Sequence, residues 1–262
     1  MQKTIQLLSV LPRRPVEFVD RLAAVAEVKL DRFSRRPPQY ATTLWDPAIR
    51  GIGAGLGTEL SAYLGESGLR EIEEHVCKGT AAMPQDAPFE SFHNGDSRLA
   101  GLLYAICRIM KPTTVVETGT CYGVSSAFIL KALQLNGAGE LHSVDLPPLG
   151  NSADRFVGWL IPAELRSRWT LHRGTSRRVL PPMLRTLGKV DLFLHDSLHT
   201  YSNILMECEV VTSHLNRPAA VIVDDIQDNG AFLEWTCRAK PELSVVVKEL
   251  KKEALFGVAL FL

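Results

Sequence analysis

The stretch TTVVETGTCYGVSS, residues 113–126, decides the fold of this chain. Its first half is a β-branched, apolar run that predicts a buried strand. Its second half holds Gly119 and Gly123, which permit a tight turn before a helix. A strand, a glycine turn and a helix in this order predict the first unit of an α/β sheet.

Similar alternation continues to the end of the chain. Only five residues separate the last two strand candidates, too few for a parallel crossover, so these two form an antiparallel hairpin. We therefore expect a doubly wound, mostly parallel sheet of seven strands that closes with this C-terminal hairpin. The strand candidates are 113–119, 141–146, 169–174, 190–197, 219–226, 244–250 and 256–262.

The first 94 residues have a different character. Residues 16–35 and 58–78 show helical spacing of apolar side chains, and Asp96 is placed to cap a helix over 97–110. The stretch GIGAGLG, residues 51–57, follows no strand, so we interpret it as a flexible connector rather than a phosphate-binding loop. Two regions are predicted: a helical lid over 1–94 and a catalytic domain over 95–262.

Composition excludes several classes of protein. The 262 residues hold 29 basic and 29 acidic side chains, and this balance argues against nucleic acid or a membrane as a partner. There is no apolar run near the ~20 residues of a membrane span, and the start is a poor signal peptide. Five cysteines without a CxxC motif fit a reducing cytoplasm. Residues 1–36 carry eight basic and four acidic residues, typical of a solvated face, a self-association surface or a contact for an acidic substrate.

Acidic residues stand at the ends of the first two strands. Glu117 directly precedes the glycine turn, where it would repel a phosphate but suit a cationic ligand. Asp145 ends the next strand, where a carboxylate can accept both hydroxyls of a ribose. Either residue alone is often structural, but together they favour a nucleoside ligand.

More carboxylates end two later strands. Asp196 follows the strand at 190, and Asp224 and Asp225 follow the strand at 219. Three neighbouring carboxylates need a cation unless they are protonated or solvated, and oxygen ligands favour Mg²⁺, with Mn²⁺ or Ca²⁺ as alternatives. His199 lies close to Asp196 and is a general base, a ligand or a residue of a helix start, whereas the neighbouring His195 belongs near the core.

These motifs resemble a known family. VVETGTCYGVSS resembles motif I of class I S-adenosylmethionine-dependent methyltransferases, and Asp145 matches the acidic residue of the next motif. The segments RGTSRRVLPPML, VDLFLHDSLHTYSN and VIVDDIQDN are similar to metal-dependent small-molecule O-methyltransferases of the macrocin and deoxysugar type, which also resemble cephalosporin hydroxylase-like proteins. The resemblance covers residues 95–262 and implies the Rossmann-like methyltransferase fold, while residues 1–94 only weakly resemble the variable lid.

The resemblance also implies roles for single residues. His199 would be the general base and Asp196 a second catalytic residue, and Thr175 stands where the family often has Asp. The metal ligands would be Asp196, Asp224 and Asp225. The residues implied to bind S-adenosylmethionine are Glu117, Gly119, Thr120, Tyr122, Gly123, Ser125, Asp145, Thr175, Ser176 and Asp196.

The expected reaction is methyl transfer from S-adenosylmethionine to a hydroxyl oxygen of a small molecule, either a sugar of a glycosylated metabolite or a catechol-like diol. A divalent metal would position the acceptor. The N-terminal helices are a candidate surface for a homo-oligomer. Three alternatives are a dehydrogenase, a metal-dependent hydroxylase or hydrolase on the same fold, and a non-catalytic binding protein that keeps the cofactor fold.

Overall fold

A seven-stranded sheet forms the centre of the computed structural model, which describes residue 7 and residues 10–34, 38–88, 97–150, 153–250 and 253–262. The strand order is β3-β2-β1-β4-β5-β7-β6, and β7 alone runs antiparallel to its neighbours. The predicted α/β sheet and its C-terminal hairpin are confirmed. The strands are β1 (Thr114–Thr118), β2 (Glu140–Asp145), β3 (Trp169–Arg173), β4 (Val190–His195), β5 (Leu215–Val223), β6 (Leu243–Lys248) and β7 (Leu255–Phe261).

Helices cover both faces of this sheet because the central strands are apolar on both sides. Val115 faces the core formed with α2–α6, whereas its neighbour Val116 faces the core formed with α7–α9. The helices within the described residues are α1 (Pro15–Ser34), α2 (Trp45–Gly55), α3 (Leu60–Leu64), α4 (Ser67–Ala81), α5 (Ser97–Met110), α6 (Val124–Asn136), α7 (Ser176–Leu187), α8 (Tyr201–Thr212) and α9 (Ala231–Ala239).

The glycine-rich stretch after residue 50 is helical, so the predicted connector is wrong. Gly51, Gly53 and Gly55 all lie in α2, whose Ile52 is fully buried in the core. A side chain at Gly53 would put its Cβ 2.6 Å from the backbone oxygen of Thr58. Glycine therefore lets α2 approach the following turn, and packing outweighs its low helix propensity.

The N-terminal helices have two different positions. Helices α2–α4 contribute to the same apolar core as α5 and α6, whereas α1 crosses the edge of the sheet at which the parallel strands end. The predicted cap Asp96 lies outside the described residues. None of the described helices has both the length and the apolar character that crossing a membrane requires.

Candidate active site

The predicted site residues gather at the carboxyl edge of the sheet, around the neighbouring strands β1 and β4. The sheet order grows outward in both directions from this pair, which makes it the topological switch point. Loops that leave such a point diverge and open a crevice for ligands. The fold therefore positions the site where the sequence predicts it.

The glycine turn after β1 packs directly on the loop after β4. Gly119 has a φ of 84°, and a Cβ there would lie 1.8 Å from the backbone oxygen of Asp196. Gly123 has a φ of 85°, and its Cβ would lie 2.9 Å from the Cα of Gly158. Both positions require glycine, and the first brings the predicted cofactor turn into contact with Asp196.

Glu117 is fully buried beneath this turn. Its carboxylate accepts hydrogen bonds from the hydroxyls of Ser125 (3.2 Å), Ser126 and Ser143 (2.6 Å). Burial disfavours the charge and outweighs these donors, which raises the pKa of Glu117 to about 7. In the structure this carboxylate ties β1 to β2 and to the start of α6, and its contact with a cofactor stays a prediction.

Asp145 turns its carboxylate toward the same turn. Its Oδ2 accepts a hydrogen bond from the backbone N–H of Cys121 at 3.1 Å. Burial raises the pKa of Asp145 to about 6, although backbone donors oppose the shift. The side chain is half-buried at the end of β2, which leaves its predicted ribose contact open to test.

The remaining predicted cofactor residues differ in their burial and in the contacts they make. The Oγ1 atom of Thr120 is buried with no hydrogen-bond partner among the described residues. Tyr122 lies in the core, edge-on to Phe156. Thr175 immediately precedes α7, and Ser176 donates a hydrogen bond to Asn203 Oδ1.

Three carboxylates form a cluster at the ends of β5 and β6. Oxygen atoms of Asp224, Asp225 and Glu249 lie within 4.8 Å of one another. Asp224 is 3% exposed, and its Oδ1 accepts no hydrogen bond from any described residue. Asp225 has a φ of 51°, a conformation that non-glycine residues rarely adopt.

The cluster fits a divalent cation. Burial, aided by the charges of Asp196 and Asp225, raises the pKa of Asp224 well above its usual range, so this group needs either a proton or a cation. Hard oxygen ligands match Mg²⁺ or Ca²⁺. Glu249 was not predicted from the sequence, although β6 is parallel to β5 and its end therefore reaches the same edge.

His199 connects Asp196 to this cluster. Its Nε2 lies 3.5 Å from Asp196 Oδ1, and its Nδ1 lies 3.2 Å from Asp225 Oδ2. Burial disfavours the imidazolium, but the two carboxylates outweigh it and raise the pKa of His199 to about 10. The histidine is therefore positively charged at neutral pH in this arrangement.

A second buried carboxylate, which the sequence did not predict, supports the loop after β4. Glu207 accepts hydrogen bonds from Ser197 (2.8 Å) and Asn203 (2.9 Å), and it lies 2.7 Å from Nδ1 of the buried His195. Although burial favours protonation, His195 and the other donors lower the pKa of Glu207 to about 2. The available signal was a Glu in the largely apolar helix α8, which also holds Glu209.

Helix α1 lies over the carboxyl edge of the sheet, and its acidic side chains contact residues of that edge. Glu17 binds Arg173 at the end of β3 (2.6 Å), while Glu27 accepts a hydrogen bond from Thr200 (2.5 Å) beyond β4. Asp31 accepts a hydrogen bond from the backbone N–H of Tyr201 at 2.8 Å. The helix thus spans the crevice from β3 to β4.

A family model matches the centre of this edge. Residues 116–226, from β1 to the loop after β5, match the methyltransferase domain family. This segment is similar to a methyltransferase domain. Its match includes all of the predicted metal and cofactor positions, and the prediction of a class I methyltransferase is confirmed at the level of domain and fold.

Solved structures of methyltransferases share the fold of this chain. A methyltransferase of Podospora anserina bound to S-adenosylhomocysteine is 13% identical over 76% of this chain and 93% of its own, with a TM-score of 0.50. A methyltransferase of Geobacter sulfurreducens is 16% identical over 76% of this chain and 89% of its own, also with a TM-score of 0.50. No match was found among the curated proteins.

Proposed function

We propose that the protein is an S-adenosylmethionine-dependent O-methyltransferase that acts on a hydroxyl group of a small molecule. One observation carries this proposal: the acidic cluster and His199 lie at the carboxyl edge of a methyltransferase domain, beside the turn of Gly119. The cofactor turn and a proton-accepting site are thus adjacent. The relative from Podospora anserina is described as bound to S-adenosylhomocysteine, the product of that cofactor, which supports the choice of cofactor.

Different residues of the chain would bind different parts of the cofactor. S-adenosylmethionine would supply the methyl group, with Asp145 at the ribose and the turn of Gly119 and Gly123 along the methionine part. The sulfonium of this cofactor is cationic, and the acidic surroundings of Glu117, Asp145 and Asp196 suit such a charge. Helix α1 covers the crevice and would exclude water from the reacting groups.

Asp224, Asp225 and Glu249, with Asp196 next to them, would hold a divalent cation. When bound, this cation would coordinate the acceptor hydroxyl and favour its alkoxide form. We therefore propose a sugar hydroxyl or a catechol-like diol as acceptor, since neighbouring oxygens chelate a cation well. The five cysteines are free, which agrees with the proposed cytoplasmic location.

His199 is the proposed general base. Because its pKa is about 10 while Asp196 and Asp225 are charged, it can accept a proton at neutral pH only when these charges are neutralised. Charge neutralisation of the carboxylates would therefore lower the pKa of the histidine toward the range that suits a base. The charge state of the carboxylates thus determines whether His199 can act as a base.

A methyl-transfer screen tests this function. S-adenosylmethionine with a labelled methyl group is incubated with the protein and a panel of glycosides and catechols, with Mg²⁺ or with a chelator. We expect labelled methyl ethers with Mg²⁺, and a loss of about 100-fold or more in Asp224→Asn or His199→Gln. The matched control is Glu242→Gln, an exposed carboxylate paired with Arg217.

Two outcomes would contradict the proposal. Transfer that tolerates the chelator and Asp224→Asn would exclude the cation. Methylation of catechol ring carbons without any methyl ether would exclude O-methylation while leaving methyl transfer itself intact.

A further inference from the structure

A cleft with excess positive charge lies between the start of α1 and the ends of β2 and β3. Its volume is about 340 Å³. Four guanidinium groups and two carboxylates line this cleft, which leaves an excess of two positive charges, and we call it the basic cleft. Its charged residues are Arg13, Arg14, Glu17, Arg21, Asp154 and Arg173.

Glu17 is already saturated by its neighbours. Its side chain is 10% exposed, and its carboxylate accepts hydrogen bonds from Arg173 (2.6 Å), Arg21 (2.7 Å) and Arg14 (3.4 Å). Burial raises the pKa of Glu17, but the hydrogen bonds and charges of Arg173 and Arg21 outweigh it and lower this pKa to about 2. One carboxylate thus brings a single negative charge to three arginines, and it cannot neutralise the basic cleft.

The other carboxylate of the cleft leaves guanidinium donors unused. Asp154 is 52% exposed and lies 3.1 Å from Arg173 Nε and 3.8 Å from Arg14 Nη1. Arg14 makes its contacts through Nη1 alone, and Arg13 forms no ion pair with any residue that the structure describes. Each guanidinium carries five N–H donors, so those of Arg13 and most of those of Arg14 are open to a ligand.

We propose that the basic cleft binds a phosphate group, either as the free ion or as the monoester of a small molecule. A phosphate monoester carries a charge of about −1.5 to −2 at neutral pH, which matches the two excess positive charges. The planar fork of donors on a guanidinium group binds two phosphate oxygens at once. The N-terminus of α1 adds a partial positive charge at the same place.

The size of the basic cleft fits such a ligand. Pockets for small molecules measure about 300–1,000 Å³, and the cleft lies near the lower limit of this range. It therefore has room for a phosphate with a small organic group. A nucleic acid chain would instead need basic contacts to several successive phosphates.

A bound phosphate would connect α1 to the sheet. Arg13 and Arg14 belong to the turn before α1, whereas Arg173 ends β3. Arg21 already donates a hydrogen bond to the backbone oxygen of Pro147, in the loop after β2, at 2.6 Å. An anion among these groups would hold the start of α1 against the edge of the crevice, and its binding requires no methyl transfer.

Calorimetric titration of the full-length protein tests this site. At constant ionic strength we expect inorganic phosphate to bind at one site per chain. The affinity should fall at least about threefold in Arg13→Gln and at least about tenfold in the double variant Arg13→Gln, Arg14→Gln, because charge-assisted donors are lost. Asp154→Asn should bind phosphate more tightly, because it removes a negative charge that repels the anion.

Arg32→Gln is the matched control for the loss of charge. Arg32 is exposed and lies at the opposite end of α1, a helix of 20 residues that is about 30 Å long. This variant changes the net charge as Arg13→Gln does, and it should bind phosphate as the wild type does. Thermal unfolding without phosphate shows whether each variant retains the fold.

A second probe identifies the source of the phosphate. Tighter binding of glycerol 3-phosphate than of inorganic phosphate would assign the cleft to a phosphorylated small molecule, and the reverse order would assign it to the free ion; both results support a phosphate site. Two results would overturn it. One is the absence of binding of either probe at about 10 mM. The other is an Arg13→Gln, Arg14→Gln variant that binds phosphate as tightly as Arg32→Gln.

Discussion

Glu117 illustrates how a motif residue can act through the protein rather than through a ligand. It lies directly before the glycine turn, yet its oxygens are bound by three serine hydroxyls from α6 and β2. Trp169 extends the network by donating a hydrogen bond to Ser143. The carboxyl group therefore fixes the position of the turn on which the cofactor site depends.

The burial of Glu117 should make the free energy of unfolding depend on pH. The pKa of Glu117 is about 7 when folded, against an ordinary value of 4.5, so the folded state keeps a proton that the unfolded state loses between these pH values. Wild-type stability should thus fall relative to Glu117→Gln as pH rises from about 4 to 8, by about 3 kcal/mol in all. Denaturant unfolding of both proteins across this range measures the difference, and a constant difference would contradict the buried position.

The pKa of His199 is raised by its two carboxylate neighbours, and not by burial. Asp225→Asn removes one of the charges that hold the pKa of His199 near 10, and we expect this pKa to fall by at least one unit toward the ordinary value of 6.5. Titration of the histidine ring by NMR measures it. Asp46→Asn, an exposed carboxylate of α2, is the control. An unchanged pKa would show that Asp225 does not contact the ring.

At the scale of elements, the sequence predicted the strands better than the N-terminal helices. The runs around Val115, Leu192 and Val221 are apolar on both faces, and only a central parallel sheet has this pattern. Helix α1 was predicted from apolar spacing that includes Val19 and Leu22, but these side chains face outward. The acidic side turns inward because it meets Arg173, Arg177 and Arg178, which are far away in sequence and invisible to local periodicity.

Helix α2 offers a matched pair of glycines. Nothing lies within 4 Å of a Cβ added at Gly51, whereas a Cβ at Gly53 would meet backbone atoms. Gly51→Ala should stabilise the protein by about 0.5–1 kcal/mol through helix propensity. Gly53→Ala should destabilise it by about 1–3 kcal/mol through overpacking. Denaturant unfolding gives both values, and equal signs would contradict the helical structure of this stretch.

At the scale of the whole molecule, topology explains why distant residues form one site. Glu117, Asp145, Asp196 and Asp224 are spread over more than 100 positions, but each ends a parallel strand at one edge of the sheet. The sequence could therefore predict their proximity. It could not reveal Glu207, since a Glu in a helix is usually a surface residue. Its partners Thr118 and Ser197 become neighbours only on folding.

Net charge has a similar limit as a guide to function. The chain as a whole is neutral, but Asp224, Asp225 and Glu249 concentrate negative charge at one end of the crevice. The acidic residues of α1 are meanwhile neutralised by arginines of the sheet edge. A neutral total thus conceals a locally acidic site suited to cations.

Calorimetric titration with S-adenosylhomocysteine tests the central claim most directly, because it needs no knowledge of the acceptor. We predict one binding site per chain and no binding of NAD. The affinity should be at least about tenfold weaker in Asp145→Ala, because this variant loses the proposed ribose contact. Glu242→Gln should bind as the wild type does. The absence of binding to the wild-type protein, or equal affinity in a folded Asp145→Ala variant, would contradict a cofactor site at the carboxyl edge of this sheet.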